Sequence, residues 1–309
     1  MSHWLENRVA IITGSGRGIG RAIAMAMAKE GARVVTNDYD LGLAEAVAKE
    51  ITDSGGKAVP FSGDIAEFEA AKRLIQTAAD KFGRLDILVN NAGIGGGKKP
   101  IWEMTEEIWD RAMAVHLKGS FNCIRHASVI MKERKWGRII NTSSPGRLGM
   151  ERNCDYSTAK AGVIGLTRSV ALDLGGYGVT CNAYAPSAAT RMNSKTSAEY
   201  QARLAKEYAS GSITKEYYER QTTPRPPPEA IPPFIIYLCT DQAAEINGQL
   251  FFIWGRQEIH LFLEEVKNSI VKEGFWTVEE LMEKVPAELL KGVESKISLS
   301  SGSRHRKSR

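Results

Sequence analysis

The chain has 309 residues, 43% hydrophobic and 25% charged, enough apolar material for a large core and too much for a disordered chain. Its formal charge is +5, but Arg304, Arg306, Lys307 and Arg309 close the chain with no acidic residue among them, leaving 37 basic against 36 acidic side chains in residues 1–303. A nucleic-acid reading therefore rests on the tail alone, and the lack of an uncharged apolar run of about 18 residues argues against a membrane span. The opening residues lack the basic-then-apolar layout of a signal peptide, so a cytoplasmic protein is expected. The cysteines at 123, 154, 181 and 239 form no C-x-x-C pair and suggest neither a metal site nor a disulfide framework.

Taken in order, the predicted strands are Val9 to Ile12, Arg33 to Asn37, Ala58 to Phe61, Ile87 to Asn90, Arg138 to Thr142, Thr180 to Tyr184 and Gln249 to Ile253. Helical patterns separate them, the first over Ile19 to Lys29 with Gly31 as its stop. This alternation predicts an α/β fold, a Rossmann-like doubly wound parallel sheet of seven strands with helices on both faces. Residues 1–255 form the expected catalytic domain, interrupted at 192–228 by a polar, tyrosine-rich and proline-rich excursion read as a lid over the site. Lys195, Arg203, Lys206 and Lys215 in it could meet phosphates, or simply line a solvated helix face. Residues 256–309 form an appendage expected to pack on the core or on a neighbouring subunit. It includes a capping box, Thr277 with Glu280, opening a helix that Pro286 should stop.

The first strand runs into Thr13-Gly14-Ser15-Gly16-Arg17-Gly18-Ile19-Gly20 and then a helix, a layout in which backbone N–H groups approach a pyrophosphate at a helix N-terminus. Asp38 ends the second strand, where a carboxylate can accept from a ribose diol and repel a 2′-phosphate, favouring NAD over NADP. Two counter-readings stand: Asp38 caps the next helix, or Arg17 greets the phosphate of NADP. Tyr156 and Lys160 are four residues apart on a predicted helix, so one face presents both a phenol and an ammonium.

Together these segments resemble the short-chain dehydrogenase/reductase family over about residues 5–253, in order and at family spacing. Thr13 to Gly20 match T-G-x-x-x-G-x-G, Asp64 with Ile65 the adenine-binding aspartate, Asn90-Asn91-Ala92-Gly93 the N-N-A-G block, Ser143-Ser144 the serine pair, and Tyr156 with Lys160 the Y-x-x-x-K pair. The resemblance implies hydride transfer between a secondary alcohol or ketone and a nicotinamide cofactor bound by Gly14, Ser15, Arg17, Gly18, Ile19, Gly20, Asp38, Asp64, Ile65, Asn91, Ala92, Gly93, Tyr156, Lys160, Pro186 and Thr190. It implies Tyr156 as base, Lys160 helping to lower its pKa and holding the nicotinamide ribose, and a serine holding the substrate oxygen. Ser144 is favoured, with one residue deleted from the following loop, and Ser143 is the alternative because it keeps the family's spacing of 13 residues to the tyrosine. His116 stands where many members carry an asparagine of the proton relay, and is either a relay group or a satisfied helix histidine. Its block, Val115 to Phe121, is similar to the dehydrogenase part of multifunctional β-oxidation enzymes, which implies a bulky apolar or hydroxyacyl-CoA-like substrate. Pro186-Ser187 and Gly255-Arg256 depart from the family's Pro-Gly and Gly-Gly. Alternatives are an NADPH-dependent 3-oxoacyl carrier-protein reductase and a non-catalytic NAD-binding subunit. A homodimer or homotetramer is expected, with no metal, nucleic-acid or membrane partner.

Overall fold

The computed structural model describes residues 3–190, 198–254 and 258–292. Its strands are β1 (Val9–Ile12), β2 (Arg33–Asp38), β3 (Lys57–Ser62), β4 (Ile87–Asn90), β5 (Gly137–Thr142), β6 (Val179–Pro186), β7 (Leu250–Trp254) and β8 (Glu258–Phe262), ordered β3-β2-β1-β4-β5-β6-β7-β8. The first seven are parallel, and the eighth pairs antiparallel with β7, Phe252 opposite His260. Seven strands were expected. The eighth escapes a sequence reading because Glu258 to His260 and Leu261 are exposed, so the segment carries no burial pattern and sits inside the stretch read as an appendage.

β1 and β4 are buried at every position, as continuous apolar runs must be when helices cover both faces of a parallel sheet. The crossover helices are α1 (Gly18–Lys29), α2 (Leu41–Asp53), α3 (Phe68–Phe82), α4 (Glu106–Ala112), α5 (Gly119–Arg134) and α6 (Cys154–Gly175). One core lies under α1 and α2, built on Ile12, Ile23, Met27 and Val34, and a second under α3 and α5, built on Ile11, Leu74, Leu88 and Met131. Asp40 caps α2 by accepting from the amide of Gly42 at 2.9 Å.

After β6 come α7 (Ala198–Ala209) and α8 (Lys215–Thr222), where Tyr208 stacks on Tyr218 with centroids 4.7 Å apart. Arg203 reaches Glu207 and Lys215 reaches Glu219, each at 3.7 Å, while Lys195 lies outside the described residues. These intrahelical pairs fit the solvated-face reading of the lid cations. α9 (Pro232–Leu238) then leads to β7. The chain divides into units of residues 1–262 and 263–309. In the second, Thr277 and Glu280 form the capping box of α10 (Val278–Lys284), and a π turn over Val285–Leu289 carries the backbone through Pro286 instead of stopping there.

Candidate active site

Strand order reverses at β1, whose neighbours are β2 and β4, and a doubly wound sheet opens its ligand crevice at the carboxyl ends of the strands beside such a reversal. The glycine loop leaves β1 here. Gly14 has φ +62°, and a Cβ on it would lie 2.7 Å from the Cα of Ala92, so only glycine lets the two loops touch. Gly18 has φ +57° and nothing nearer its missing Cβ than the Thr190 methyl at 3.8 Å, leaving open space in front of the helix end. α1 has no side-chain cap on Arg17 and no acidic residue in its first turn, so its terminal amides and partial positive charge are available to an anion. Ser15 is consumed in the frame: it exchanges hydrogen bonds with Asn37, its amide donating at 2.8 Å and its Oγ accepting at 2.9 Å. Ile19 packs on the core and Arg17 is exposed.

Asp38 Oδ2 accepts from the amide of Gly16 at 3.1 Å, which fixes the carboxylate beside the loop. The helix cap is Asp40, so the capping reading of Asp38 does not apply. Asp64 accepts from the amide of Ala66 at 2.9 Å and from Arg111 Nη1 at 2.8 Å. Burial raises its pKa, but these two bonds outweigh burial and hold it below the usual carboxylate range. Neighbouring Ile65 is buried, its carbonyl taken by Asn122. Asn91 donates to the carbonyls of Thr13 and Gly14, while Thr13 Oγ1 accepts from the amides of Asn91 and Ala92 at 3.0 Å each. The N-N-A-G block therefore bolts β4 to the glycine loop. These features fit a dinucleotide: an uncapped helix end, open space before Gly18, and a carboxylate fixed at the tip of β2.

Ser144, Tyr156, Lys160 and His116 gather next to this cradle. Ser143 Oγ is buried and donates to the Lys160 carbonyl at 2.9 Å, whereas Ser144 is half-buried, accepts from the Gly146 amide at 3.0 Å and lies near enough to the Tyr156 phenol to lower its pKa. Burial pushes the Tyr156 phenol above 10, and the Ser144 hydroxyl pulls the other way. Lys160 is 4% exposed, donates from Nζ to the Thr142 carbonyl at 2.7 Å and lies 5.9 Å from the Tyr156 ring centroid. Burial lowers the Lys160 pKa to about 7. The sequence reading had Lys160 depress the tyrosine. In the protein alone, loss of hydration dominates both groups, an effect that spacing does not disclose.

His116 sits in a π turn, Met113–Lys118, between α4 and α5. It is buried, with Nε2 3.0 Å from the Ile94 carbonyl, its ring edge-on to Tyr156 at 5.2 Å between centroids, and Nδ1 without a partner among the described residues. Burial and the charge of Lys160 lower its pKa to about 2, against the Ile94 bond, so the imidazole is neutral. A Cβ on Gly93 would lie 2.8 Å from its Cε1, so Gly93 makes room for the ring. After β6, the Ser187 amide donates to the Ile253 carbonyl, and Pro186 closes the β6–β7 register. Gly255 and Arg256 lie outside the described residues.

Three participants were not picked out from the sequence. The carbonyls of Thr142 and Ile94 hold Lys160 and His116, and backbone acceptors carry no residue signature. Asp155 is buried and accepts from the Gly97 amide at 2.9 Å, tying the loop after β4 to the start of α6; an acidic residue directly before the tyrosine was the available clue.

A glycine cradle for a dinucleotide at a sheet reversal, joined to a Ser-Tyr-Lys cluster, defines a dinucleotide-dependent oxidoreductase. The chain belongs to the short chain dehydrogenase family, whose model matches residues 8–201. It is 39% identical over 255 residues to a 3-oxoacyl-[acyl-carrier-protein] reductase of Synechocystis, covering 81% of this chain and 97% of that one. Identity is 34% over 256 residues to a (2S)-[(R)-hydroxy(phenyl)methyl]succinyl-CoA dehydrogenase subunit of Thauera aromatica, with 82% and 98% covered. A crystal structure of a short chain dehydrogenase from Mycobacterium avium superposes with a TM-score of 0.77 at 37% identity, covering 93% of this chain and 96% of that one. The protein is thus an oxidoreductase acting on CH–OH groups with a nicotinamide cofactor. No helix among the described residues is long and apolar enough to cross a membrane.

Proposed function

We propose that this enzyme is an NAD-linked dehydrogenase of a secondary hydroxyl on a bulky acyl thioester of the hydroxyacyl-CoA type. The observation that carries this reading is the grouping of Ser144, Tyr156 and Lys160 beside a cradle whose ribose end is occupied by a fixed carboxylate, Asp38. Gly14, Arg17, Gly18 and Gly20 would hold the pyrophosphate with Ser15 and Ile19 as the frame of the loop, Asp38 would accept from the ribose diol, and Asp64 with Ile65 would hold the adenine. Asn91, Ala92, Gly93, Pro186 and Thr190 would hold the nicotinamide end. A bound nicotinamide dinucleotide supplies the hydride acceptor, or the donor in reverse.

The chain's own groups handle the proton and the oxygen. Ser144 Oγ holds the substrate oxygen, and the Tyr156 phenolate takes the hydroxyl proton as the carbon gives up hydride, leaving a ketone. Lys160, cationic below about pH 7 in the protein alone, would bind the nicotinamide ribose and, when protonated, offers Tyr156 a positive charge. Neutral His116 holds the loop after β4 and shapes the wall beside the phenol. Its depressed pKa argues against a protonated relay role, while its Nδ1 can accept from a water.

Support for the thioester class comes from relatives named for such substrates, among them a hydroxyacyl-CoA dehydrogenase of Mycobacterium tuberculosis at 36% identity. The reverse reaction, reduction of a 3-oxoacyl thioester, is the second reading, favoured by the Synechocystis relative. Homo-oligomerisation through α5 and α6 is also proposed, supported by exposed Phe121, Val129 and Leu172 on these helices. The deciding experiment compares NAD and NADP with hydroxyacyl-CoA, steroid and simple cyclic alcohols. Turnover of hydroxyacyl-CoA with NAD is expected, and no NAD-linked oxidation of any of them would refute the reading.

A further inference from the structure

We propose that Lys98 and Arg152 form an anion-recognition site at the lip of the catalytic cleft, built for the phosphate-bearing arm of an acyl thioester. This deepens, and rests on, the thioester reading above. Among the described residues four non-glycines have positive φ: Asn7, Lys98, Lys135 and Arg152. Asparagine takes this conformation readily, Lys135 closes a helix, and Arg152 at φ +62° is the third residue of the turn that the Asn153 amide closes on the Met150 carbonyl at 3.1 Å, which leaves Lys98 at φ +54° without a local reason. Lys98 and Arg152 lie in different loops, after β4 and before α6, and they touch: Arg152 Nε donates to the Lys98 carbonyl at 3.3 Å. Side chains held in an unfavourable backbone conformation by their surroundings mark functional positions.

The frame around the pair is anchored to the catalytic tyrosine. Lys99 bridges Asn153, the Gly97 amide is held by Asp155, and a Cβ on Gly96 would lie 2.9 Å from the Cβ of Tyr156. Both cations are exposed, and neither has a carboxylate partner among the described residues. Neighbouring Lys99 is answered by Glu103 at 3.8 Å, and Glu151 makes no ion pair with Arg152. Two of the cations between β6 and α9 differ, since Arg203 and Lys215 each have a glutamate one turn away. The same two loops expose Trp102 at 82%, Leu148 at 64% and Met150 at 48%. Exposed apolar side chains beside two unneutralised cations match a ligand that is greasy at one end and anionic at the other.

The test replaces both residues by asparagine, which keeps the left-handed backbone and removes the charge. Steady-state rates are measured for 3-hydroxybutyryl-CoA and for its N-acetylcysteamine thioester, which lacks the phosphates, and coenzyme A itself is titrated calorimetrically. In Lys98→Asn with Arg152→Asn, the preference for the CoA thioester over the truncated one falls about tenfold through KM, coenzyme A binding weakens about tenfold, and salt sensitivity flattens. Lys98→Arg with Arg152→Lys retains the preference. Equal loss on both thioesters, an unchanged preference, or a wild type that binds no coenzyme A would overturn the proposal. A wild type that binds coenzyme A through these residues yet turns over neither thioester overturns the function reading and leaves the anion site standing.

Discussion

The two adjacent serines give the sharpest prediction, because their hydroxyls have different partners, the Lys160 carbonyl for Ser143 and the Gly146 amide for Ser144. Ser143→Ala removes a buried hydrogen bond to the Lys160 carbonyl, worth about 1 kcal/mol, and lowers Tm by roughly 2–4 °C. Its effect on kcat stays below about tenfold, since its hydroxyl points into the α6 backbone and not at a reacting atom. Ser144→Ala removes the hydroxyl that faces the tyrosine, and loss of one such preorganised donor costs about 10²–10³ in kcat. The Ser144 hydroxyl also favours the phenolate, so without it the Tyr156 pKa rises and the rise of kcat/KM with pH moves to higher pH. The assay is NADH formation across pH, paired with thermal melts of both variants. Full turnover in Ser144→Ala with loss in Ser143→Ala refutes the reasoning.

Other outcomes follow from the same geometry. Lys160 is neutralised by burial, with its pKa near 7, so between about pH 7 and 10.5 the unfolded chain binds more protons and stability rises with pH. Lys160→Met therefore raises Tm at neutral pH, by a margin that grows as pH falls from 10 to 7; a margin independent of pH refutes this. Asp38→Ala lifts the repulsion of a 2′-phosphate, a few kcal/mol at close range, so fluorescence titration should show at least about a tenfold shift toward NADPH. An unchanged ratio counts against NAD. Gly93→Ala pushes a Cβ into His116 and should cut kcat more than about tenfold while circular dichroism stays native; wild-type kcat would remove His116 from the account. A chain ending at Phe262 keeps β8 and should retain activity, whereas one ending at Trp254 strips the Phe262 ring from Arg147, 4.2 Å away, and should melt several degrees lower. Equal melting temperatures would contradict that.

The parallel sheet was legible in the sequence because buried strands such as Val9–Ile12 are unbroken apolar runs and the helices between them have an apolar stripe. β8 was not, because an exposed edge strand has no burial to write into its pattern. Spacing brought Tyr156 and Lys160 to one helix face but could not say that burial would push one pKa up and the other down. Counting residues favoured Ser143 and motif likeness favoured Ser144; the path of the chain through Pro145–Leu148 turns Ser144 toward the phenol. The π turn at His116 and the left-handed backbone of Lys98 and Arg152 left no trace in composition, since ordinary residues stand at these positions.

The most direct test of the central claim is single-turnover oxidation of 3-hydroxybutyryl-CoA with NAD, followed by NADH absorbance, in the wild type and in Tyr156→Phe. A hydride-transfer phase is expected in the wild type, with a loss of at least about a thousandfold in the variant at saturating cofactor. A variant that transfers hydride at the wild-type rate would contradict the claim.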